Sequence, residues 1–121
     1  MDKFGVVNIL VNNSAHLKDD SAAAELTVER WDRSISVTLT GPFLCAKYAI
    51  PEMIRAGGGS IVNIDSAGGL VGSSGAVGYC SAKGGVFQLT ESSVIDYGRQ
   101  NILVNAICPG PIVTSVSPKL G

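Results

Sequence analysis

Three short apolar runs, separated by two long segments of helical character, constrain the fold of this chain more than any other feature. The runs cover residues 6–11, 60–65 and 102–107 and are rich in β-branched side chains. Runs of this kind predict strands, and the first run, mostly apolar, is expected to be buried on both faces of a sheet. Each intervening segment is long enough to form the crossover that parallel strands require. The sequence therefore predicts a parallel sheet with the element order β-α-β-α-β.

The first crossover contains a long predicted helix. Thr27 is a plausible N-cap, and the helix is expected to run to about Arg55 and to stop at the glycines of residues 57–59. Pro42 interrupts this helix, because proline has no amide hydrogen and the carbonyl of Thr38 therefore loses its helical partner. Two interpretations of Pro42 stay open: a simple bend, or a free carbonyl at Thr38 that is available to a water molecule or a lysine.

The second crossover carries Tyr79 and Lys83 at the start of a helix that is expected to continue to about Gly98, after a glycine-rich loop over residues 67–78. The two side chains are four residues apart, so they lie on one face of the helix, one turn apart. An ammonium held beside a phenol favours the phenolate, and such a phenol can take a proton from an alcohol or give one to a carbonyl. By itself the pair is weak evidence, because most pairs with this spacing are an aromatic ring beside a solvated cation.

Polar and small residues follow each of the three predicted strands. Asn12 and Asn13 end the first strand, Ser66 follows the second, and Pro109 and Gly110 follow the third. The carboxyl ends of parallel strands meet at one edge of the sheet, and ligands of open α/β sheets bind there. We therefore expect these residues to lie together at the edge where the chemistry takes place.

Composition and charge exclude several classes of protein. The chain has 121 residues, 45% of them apolar, which suits one globular domain over residues 1–121. A formal net charge of −1 gives no basic field for a nucleic acid or an anionic membrane, and no run reaches the about 18 apolar residues that a membrane span needs. The three cysteines, Cys45, Cys80 and Cys108, form no metal-ligand pattern or disulfide framework, which suits a reducing cytosol. We therefore expect a cytoplasmic protein without nucleic-acid or membrane partners.

One histidine lies close to two acidic residues in the polar connection of residues 16–26. His16, Asp19 and Asp20 could in principle ligate a metal. A lone histidine beside an acidic loop is usually solvated, however, so we expect no metal here.

Ser66, Tyr79 and Lys83, in this order and between these strand ends, resemble the short-chain dehydrogenase/reductase family. The resemblance covers nearly the whole chain. It implies a partial Rossmann-type, doubly wound parallel sheet, with three α/β/α layers in the full family fold. It also implies an enzyme that uses NAD or NADP and transfers a hydride between nicotinamide and a small-molecule carbonyl or secondary alcohol.

The resemblance assigns catalytic roles to four residues of this chain. Tyr79 would be the general acid and base, and Lys83 would favour its phenolate form and hold the ribose hydroxyls of the nicotinamide. Ser66 would hydrogen-bond the substrate oxygen and steady its developing charge. Thr38 stands where the family commonly has an asparagine whose main-chain carbonyl holds a water molecule in a proton relay. Since Pro42 leaves the Thr38 carbonyl unpaired whatever the side chain, we expect this relay to be weakened and not abolished.

The resemblance also indicates where the cofactor would lie. The segment Asn12-Asn13-Ser14-Ala15 is similar to the family's Asn-Asn-Ala-Gly turn beside the adenosine half of the cofactor, with the last two residues changed. A positive φ at Ala15 would carry strain, because its methyl group replaces the hydrogen of glycine. The segment after the third strand looks like the one under the nicotinamide. The implied cofactor-binding residues are Asn12, Asn13, Ser14, Ala15, Tyr79, Lys83, Pro109, Gly110, Ile112 and Thr114.

One part of the family pattern has no counterpart in the sequence. The glycine-rich turn that receives the pyrophosphate at a helix N-terminus is absent before Val6, so we expect a partial domain. Two hypotheses follow. In the first, these residues serve an NAD(P)-dependent oxidoreductase; in the second, the chain is a truncated, non-catalytic product that acts only as an assembly or interaction module. The resemblance further implies a homo-oligomer formed through the two long helices.

Overall fold

A computed structural model describes residues 5–110 of the chain. Strands β1, β2 and β3 alternate with helices in the predicted order. Their bounds are β1 Ile9–Asn12, α1 Val28–Ile35, a π-helical turn Ser36–Thr40, α2 Gly41–Arg55, β2 Gly59–Ile64, a 3-10 turn Ala67–Gly69, α3 Val77–Tyr97, a 3-10 turn Gly98–Gln100 and β3 Ile102–Ile107.

None of the helices in the described part of the chain has the length and apolar character to cross a bilayer. The cytoplasmic location stays a prediction.

The three strands form one parallel sheet in the order β1-β2-β3. Leu10, Ile61 and Val104 lie side by side in this register. Crossovers between parallel strands are right-handed, and both crossovers here step in the same direction across the sheet, so both sets of helices belong on one face. In agreement with this, α2 packs against all three strands and α3 packs against β3. The predicted β-α-β-α-β parallel unit is confirmed.

The apolar core lies between α2 and the sheet. Its buried members are Ala46, Ile50, Met53, Ile61, Ile102 and Val104. Met53 is completely buried, and a Cβ on Gly59 would come within 2.7 Å of its side chain. Glycine at the start of β2 therefore lets the strand pass directly beneath the end of α2, which helps to explain why the helix stops at the glycine run.

The prediction that the first strand is buried on both faces is wrong for the described residues. The strand begins at Ile9, three residues later than expected, and the side chains of Ile9 and Val11 are 68% and 56% exposed. Leu103 and Ile107 of β3 are exposed on the same face of the sheet. The physical reason is the one-sided crossover geometry, since described residues cover only one face of the sheet. Residues 5–110 thus form two layers, a sheet and the helices on one face of it, whereas three layers are expected of the full family fold.

The long helix is confirmed, but its interruption differs from a bend at Pro42. Thr27 caps the helix as expected, and its hydroxyl oxygen accepts a hydrogen bond from the amide of Arg30. The break is a π-helical turn just before the proline, in which the amide of Gly41 donates to the carbonyl of Ser36. Because Pro42 cannot donate to Thr38, the chain shifts its hydrogen-bond register by one residue and then restarts with the proline in the first turn of α2.

Smaller differences concern strand and helix ends. β2 begins and ends one residue earlier than predicted, whereas β3 has its predicted bounds. Helix α3 begins at Val77, so Tyr79 lies inside its first turn and does not open it. A 3-10 turn occupies the beginning of the glycine-rich loop that follows β2.

A buried chain of polar side chains links the sheet to α3. Asn12 donates its side-chain amide to the side-chain oxygen of Asn63 at 2.8 Å, and Asn63 donates to the Thr90 hydroxyl at 2.9 Å. Thr90 in turn donates to the carbonyl of Val86 at 2.9 Å. Asn63 is 2% exposed and is the middle member, so it joins β1, β2 and α3 through one side chain.

Replacing this asparagine should destabilise the chain. In Asn63→Ala, the buried Asn12 and Thr90 side chains lose their partner, which costs about 1–3 kcal/mol of unfolding free energy. Urea unfolding followed by circular dichroism measures the change. Asn105→Ala on the exposed face of β3 is the matched control and should change the free energy by less than about 0.5 kcal/mol. Equal losses in both variants would contradict the role of Asn63.

Candidate active site

The segment after β2 is held in place by the continuation of β3. The amide of Asp65 donates to the Ile107 carbonyl at 2.7 Å, and the amide of Ala67 donates to the Pro109 carbonyl at 3.2 Å. Between these two bonds, the Ser66 hydroxyl oxygen accepts from the amide of Gly68 at 3.1 Å and caps the 3-10 turn. The two hydrogen bonds to the segment after β3 thus define the position of Ser66. It lies at the carboxyl end of β2, as the sequence predicted.

Gly68 lies between Ser66 and Tyr79. A Cβ atom on Gly68 would be 3.5 Å from the Ser66 Oγ, 3.6 Å from Cε1 of Tyr79 and 3.3 Å from the Sγ of Cys80. The serine hydroxyl and the tyrosine ring therefore flank the same small space. The structure brings these two predicted site residues together, and any larger side chain at position 68 would crowd them.

Lys83 is buried beneath this space. It is 3% exposed, its ammonium donates to the carbonyl of Ile64, and its Nζ lies 5.9 Å from the centroid of the Tyr79 ring. Burial lowers the pKa of Lys83, while the negative charges of Asp65 and Cys108 oppose that change. Lys83 is thus anchored to the last residue of β2 and is close enough for its charge to act on the ring.

Asp65 is a site residue that the sequence analysis did not identify. It is 2% exposed, and neither of its carboxylate oxygens has a hydrogen-bond partner among the described residues. A Cβ on Gly69 would lie 2.6 Å from the Asp65 Oδ1 and 2.7 Å from the Lys83 carbonyl oxygen, so this carboxylate lies against the backbone of α3. Burial raises the pKa of Asp65 more than the nearby Ser66 amide and Lys83 charge lower it. The feature of the sequence that could have identified Asp65 is its position as a charged residue at the end of an apolar run.

Cys108 belongs to the same group of ionisable side chains. Burial raises the pKa of Cys108, the negative charge of Asp65 raises it further, and the positive charge of Lys83 lowers it. Asp65, Lys83 and Cys108 thus lie close enough together for the charges of Asp65 and Lys83 to influence each other's pKa and that of Cys108.

Thr38 lies in the π-helical turn and is fully buried. Its hydroxyl oxygen accepts a hydrogen bond from the amide of His16 at 3.0 Å, which ties the loop after β1 to this turn. The next residue, Leu39, packs against α3, where a Cβ on Gly85 would come within 2.6 Å of it. The turn is therefore a neighbour of the helix that carries Lys83, although the lysine ammonium itself bonds to Ile64.

The predicted cofactor residues after β1 divide into two groups. The Asn12 side chain is buried in the polar chain that joins the sheet to α3, although the residue also lines the same cleft as Asn13 and Ser14. Asn13 and Ser14 are exposed and line a cleft of about 370 Å³, whose other wall includes Val37 and Cys45. Ala15 is exposed and does not adopt a positive φ, so the strain considered for this residue does not arise.

The residues predicted beside the nicotinamide are partly described. The Pro109 carbonyl bonds to the loop that carries Ser66, and Gly110 is exposed at the end of the described range. Ile112 and Thr114 lie outside the described residues. In the part of the chain that the structure describes, no three or more His, Cys, Asp or Glu side chains are grouped so that they could hold a metal ion.

Comparisons with known proteins agree with this arrangement. The model of the short chain dehydrogenase family matches residues 1–121. An uncharacterized oxidoreductase of Bacillus subtilis is 43% identical over 98% of this chain, and the trans-4-hydroxycyclohexanecarboxylate dehydrogenase of Sinomonas cyclohexanicum is 42% identical over 99%. The solved structure of ElxO with NADP bound superimposes on 94% of the chain with a TM-score of 0.89 and 33% identity. The chain belongs to the short-chain dehydrogenase/reductase family.

The match covers less than half of each of these proteins. The chain spans 43% of the Bacillus relative, 46% of the Sinomonas relative and 46% of the ElxO chain. The family match and the structural superposition confirm the predicted family membership and the partial Rossmann-type fold. Activity, substrate and partners of the whole protein are matters for proposal.

Removing the charge of Asp65 should change how stability depends on pH. Because the pKa of Asp65 in the folded chain lies above its unfolded value, its contribution to stability is fully present below the unfolded pKa and is lost as pH rises through the folded pKa. Asp65→Asn should therefore be more stable than the unchanged chain at pH 7, with a difference that shrinks as pH falls towards about 4. Urea unfolding of both chains across this pH range measures the difference in unfolding free energy and how it changes with pH.

The control is Asp32→Asn, which removes an exposed carboxylate from α1. Its stability should follow that of the unchanged chain at every pH. A difference between Asp65→Asn and the unchanged chain that is constant from pH 4 to pH 8 would contradict the argument.

Proposed function

We propose that this chain carries the acid–base site of an NAD(P)-dependent oxidoreductase that interconverts a secondary alcohol and a carbonyl. The observation that carries the proposal is the convergence of Ser66 and Tyr79 on the space beside Gly68, with the buried ammonium of Lys83 below it. A hydroxyl, a phenol and a cation at the carboxyl edge of a parallel sheet suit proton transfer to or from a substrate oxygen.

We assign each residue a role that its surroundings support. Tyr79 takes the proton from an alcohol or gives one to a carbonyl oxygen, and the Lys83 Nζ lies 5.9 Å from the centroid of its ring. The Ser66 hydroxyl hydrogen-bonds the same substrate oxygen and stabilises negative charge that develops on it. The Thr38 carbonyl is proposed to hold a water molecule that connects Lys83 to solvent. Burial of Lys83 strengthens its electrostatic effect, because a charge acts more strongly away from water.

The described residues fit a dinucleotide cofactor at the edge of the sheet. A bound nicotinamide supplies the hydride acceptor or donor of the reaction. Asn13 and Ser14, which line the open cleft after β1, would contact the adenosine half, beside the exposed Ala15, and Asn12 would orient the turn from within the sheet. Lys83, Tyr79, Pro109 and Gly110 would surround the nicotinamide half, with Ile112 and Thr114 beyond the described range.

Removing the phenolic hydroxyl should abolish most of the turnover and leave cofactor binding intact. The purified chain is titrated with NADH and NADPH by fluorescence, and oxidation of trans-4-hydroxycyclohexanecarboxylate is the trial reaction, since one relative is named for it. Tyr79→Phe keeps the ring packed against Gly68, so we expect cofactor affinity within about threefold and turnover reduced about 10²- to 10⁴-fold.

Tyr48→Phe is the matched control, because Tyr48 is 70% exposed on α2, away from the strand ends. It should keep the activity of the unchanged chain. Saturable cofactor binding without any effect of Tyr79→Phe on turnover would contradict the acid–base role. Absence of cofactor binding, together with concentration-dependent association, would favour the assembly hypothesis.

The assembly hypothesis has structural support of its own. Helices α2 and α3 enclose a groove of about 360 Å³ that is lined by Phe43, Ile50, Ile54 and Leu89, among others. Phe43, in the wall of this groove, is 47% exposed. We propose a second copy of the chain as the partner of this surface, because burial of apolar side chains drives association and the family resemblance assigns the subunit interface to these helices.

A charge on this surface should prevent the association. Phe43→Glu should remain monomeric in sedimentation velocity at concentrations where the unchanged chain forms a dimer, since burial of an unpaired carboxylate is strongly unfavourable. Val28→Glu is the control, because Val28 is 73% exposed on α1 and lies outside the groove. Equal association of both variants, or an unchanged chain that is monomeric throughout, would reject this interface.

A further inference from the structure

Helix α3 cannot cap its own N-terminus. The first turn of a helix leaves amide groups without intrahelical partners, and these are usually satisfied by a side chain at the N-cap. Here the N-cap is Ala76, which has no acceptor in its side chain, and the first bond within the helix runs from the amide of Cys80 to the Ala76 carbonyl. The amides of Val77, Gly78 and Tyr79 therefore need partners from elsewhere in the chain.

All three amides bond to one dipeptide far away in the sequence. The Asp20 carboxylate accepts from the amide of Tyr79 at 2.8 Å through one oxygen and from the amide of Gly78 at 3.0 Å through the other. The carbonyl of Ser21 accepts from the amide of Val77 at 3.2 Å. Asp20 lies 59 residues before Tyr79, in the connection that the sequence indicated to be a polar loop.

The local structure orients this carboxylate and brings it close. The amide of Ser21 donates to Asp20 Oδ1 at 2.9 Å, which restricts the side chain to one orientation. A Cβ on Gly78 would lie 3.2 Å from Asp20 Oδ1 and 3.0 Å from the hydroxyl of the buried Ser34. Glycine at this position therefore allows Asp20 to approach the backbone, and the negative charge is placed at the positive end of the helix.

We propose that Asp20 is the positioning residue for Tyr79. The inference rests on the proposed function, in which Tyr79 transfers the proton. By holding the backbone of Tyr79 itself, Asp20 determines where α3 begins, how it is rotated and thus where the phenol lies relative to Ser66. A displacement of about 1 Å of a reacting group can reduce the rate about a hundredfold, so the effect on catalysis should exceed the effect on binding.

The test compares three variants of the whole chain. Asp20→Ala removes both acceptors, Asp20→Asn keeps one oxygen acceptor, and Asp19→Asn removes the same charge from the adjacent position. Asp19 is exposed with φ of 61°, a conformation that asparagine tolerates, so it is a matched control.

The first two measurements need no activity. In Asp20→Ala, amide hydrogen exchange at Gly78 and Tyr79 should accelerate about two- to tenfold, because each amide loses one hydrogen bond. The nuclear Overhauser contact between the Tyr79 ring and the α-protons of Gly68, expected from their proximity, should weaken or disappear. Asp20→Asn should be intermediate, and Asp19→Asn should resemble the unchanged chain.

The third measurement concerns catalysis. In Asp20→Ala, kcat should fall about 10- to 100-fold with KM changed less than about threefold, and Asp20→Asn should recover part of the loss. A cap that acts only on stability would raise exchange and leave the ring contact and kcat of the folded chain unchanged, and that result overturns the proposal. If the unchanged chain has no turnover, the proposed function fails, and the ring contact alone decides: its retention in Asp20→Ala rejects the positioning role, and its loss supports it.

Discussion

The central position of β2 in the sheet is the constraint on which the candidate site depends. Its partners on both sides hold its backbone extended, and the pairing with the β3 segment continues beyond the strand through the bond from Asp65 to Ile107. Successive side chains of an extended segment point to opposite faces. Asp65 thus follows Ile61 and Asn63 on the face covered by helices, where it is buried under α3. Ser66 comes one residue later, at the rim beside Gly68.

Burial of opposite charges is the second feature that shapes the site. Asp65 and Lys83 are both almost inaccessible to water. Burial raises the pKa of Asp65 and lowers the pKa of Lys83, which favours the neutral form of each group, and the attraction between their opposite charges opposes both shifts. Two buried groups of this kind cost stability unless hydrogen bonds compensate. Lys83 has such a bond, which its ammonium donates to the Ile64 carbonyl, whereas the Asp65 carboxylate has none among the described residues. Burial of Asp65 without a hydrogen-bond partner among these residues therefore costs stability at this site.

Much of the fold could be predicted from local patterns, because the forces involved act within short segments. Thr27 as a helix cap, the stop at residues 57–59 and β3 over residues 102–107 each depend on a few neighbouring residues. The π-helical turn before Pro42 was not foreseen, since the missing amide hydrogen indicates a break but not the way in which the backbone absorbs it. The exposure of Ile9 was also missed, because an apolar run does not tell which layers will cover it.

The sequence by itself determined the parallel β-α-β-α-β order, the placement of Ser66 at the carboxyl edge of the sheet and the common helix face of Tyr79 and Lys83. Periodicity and spacing suffice for this, since they depend on the geometry of single helices and strands. Only the tertiary structure decided which groups surround those side chains: the Ile64 carbonyl on Lys83, the buried carboxylate of Asp65, and Asp20 at the amides of α3. These contacts join residues 19 to 59 positions apart, and they exist because packing the crossovers onto one face of the sheet brings distant segments together.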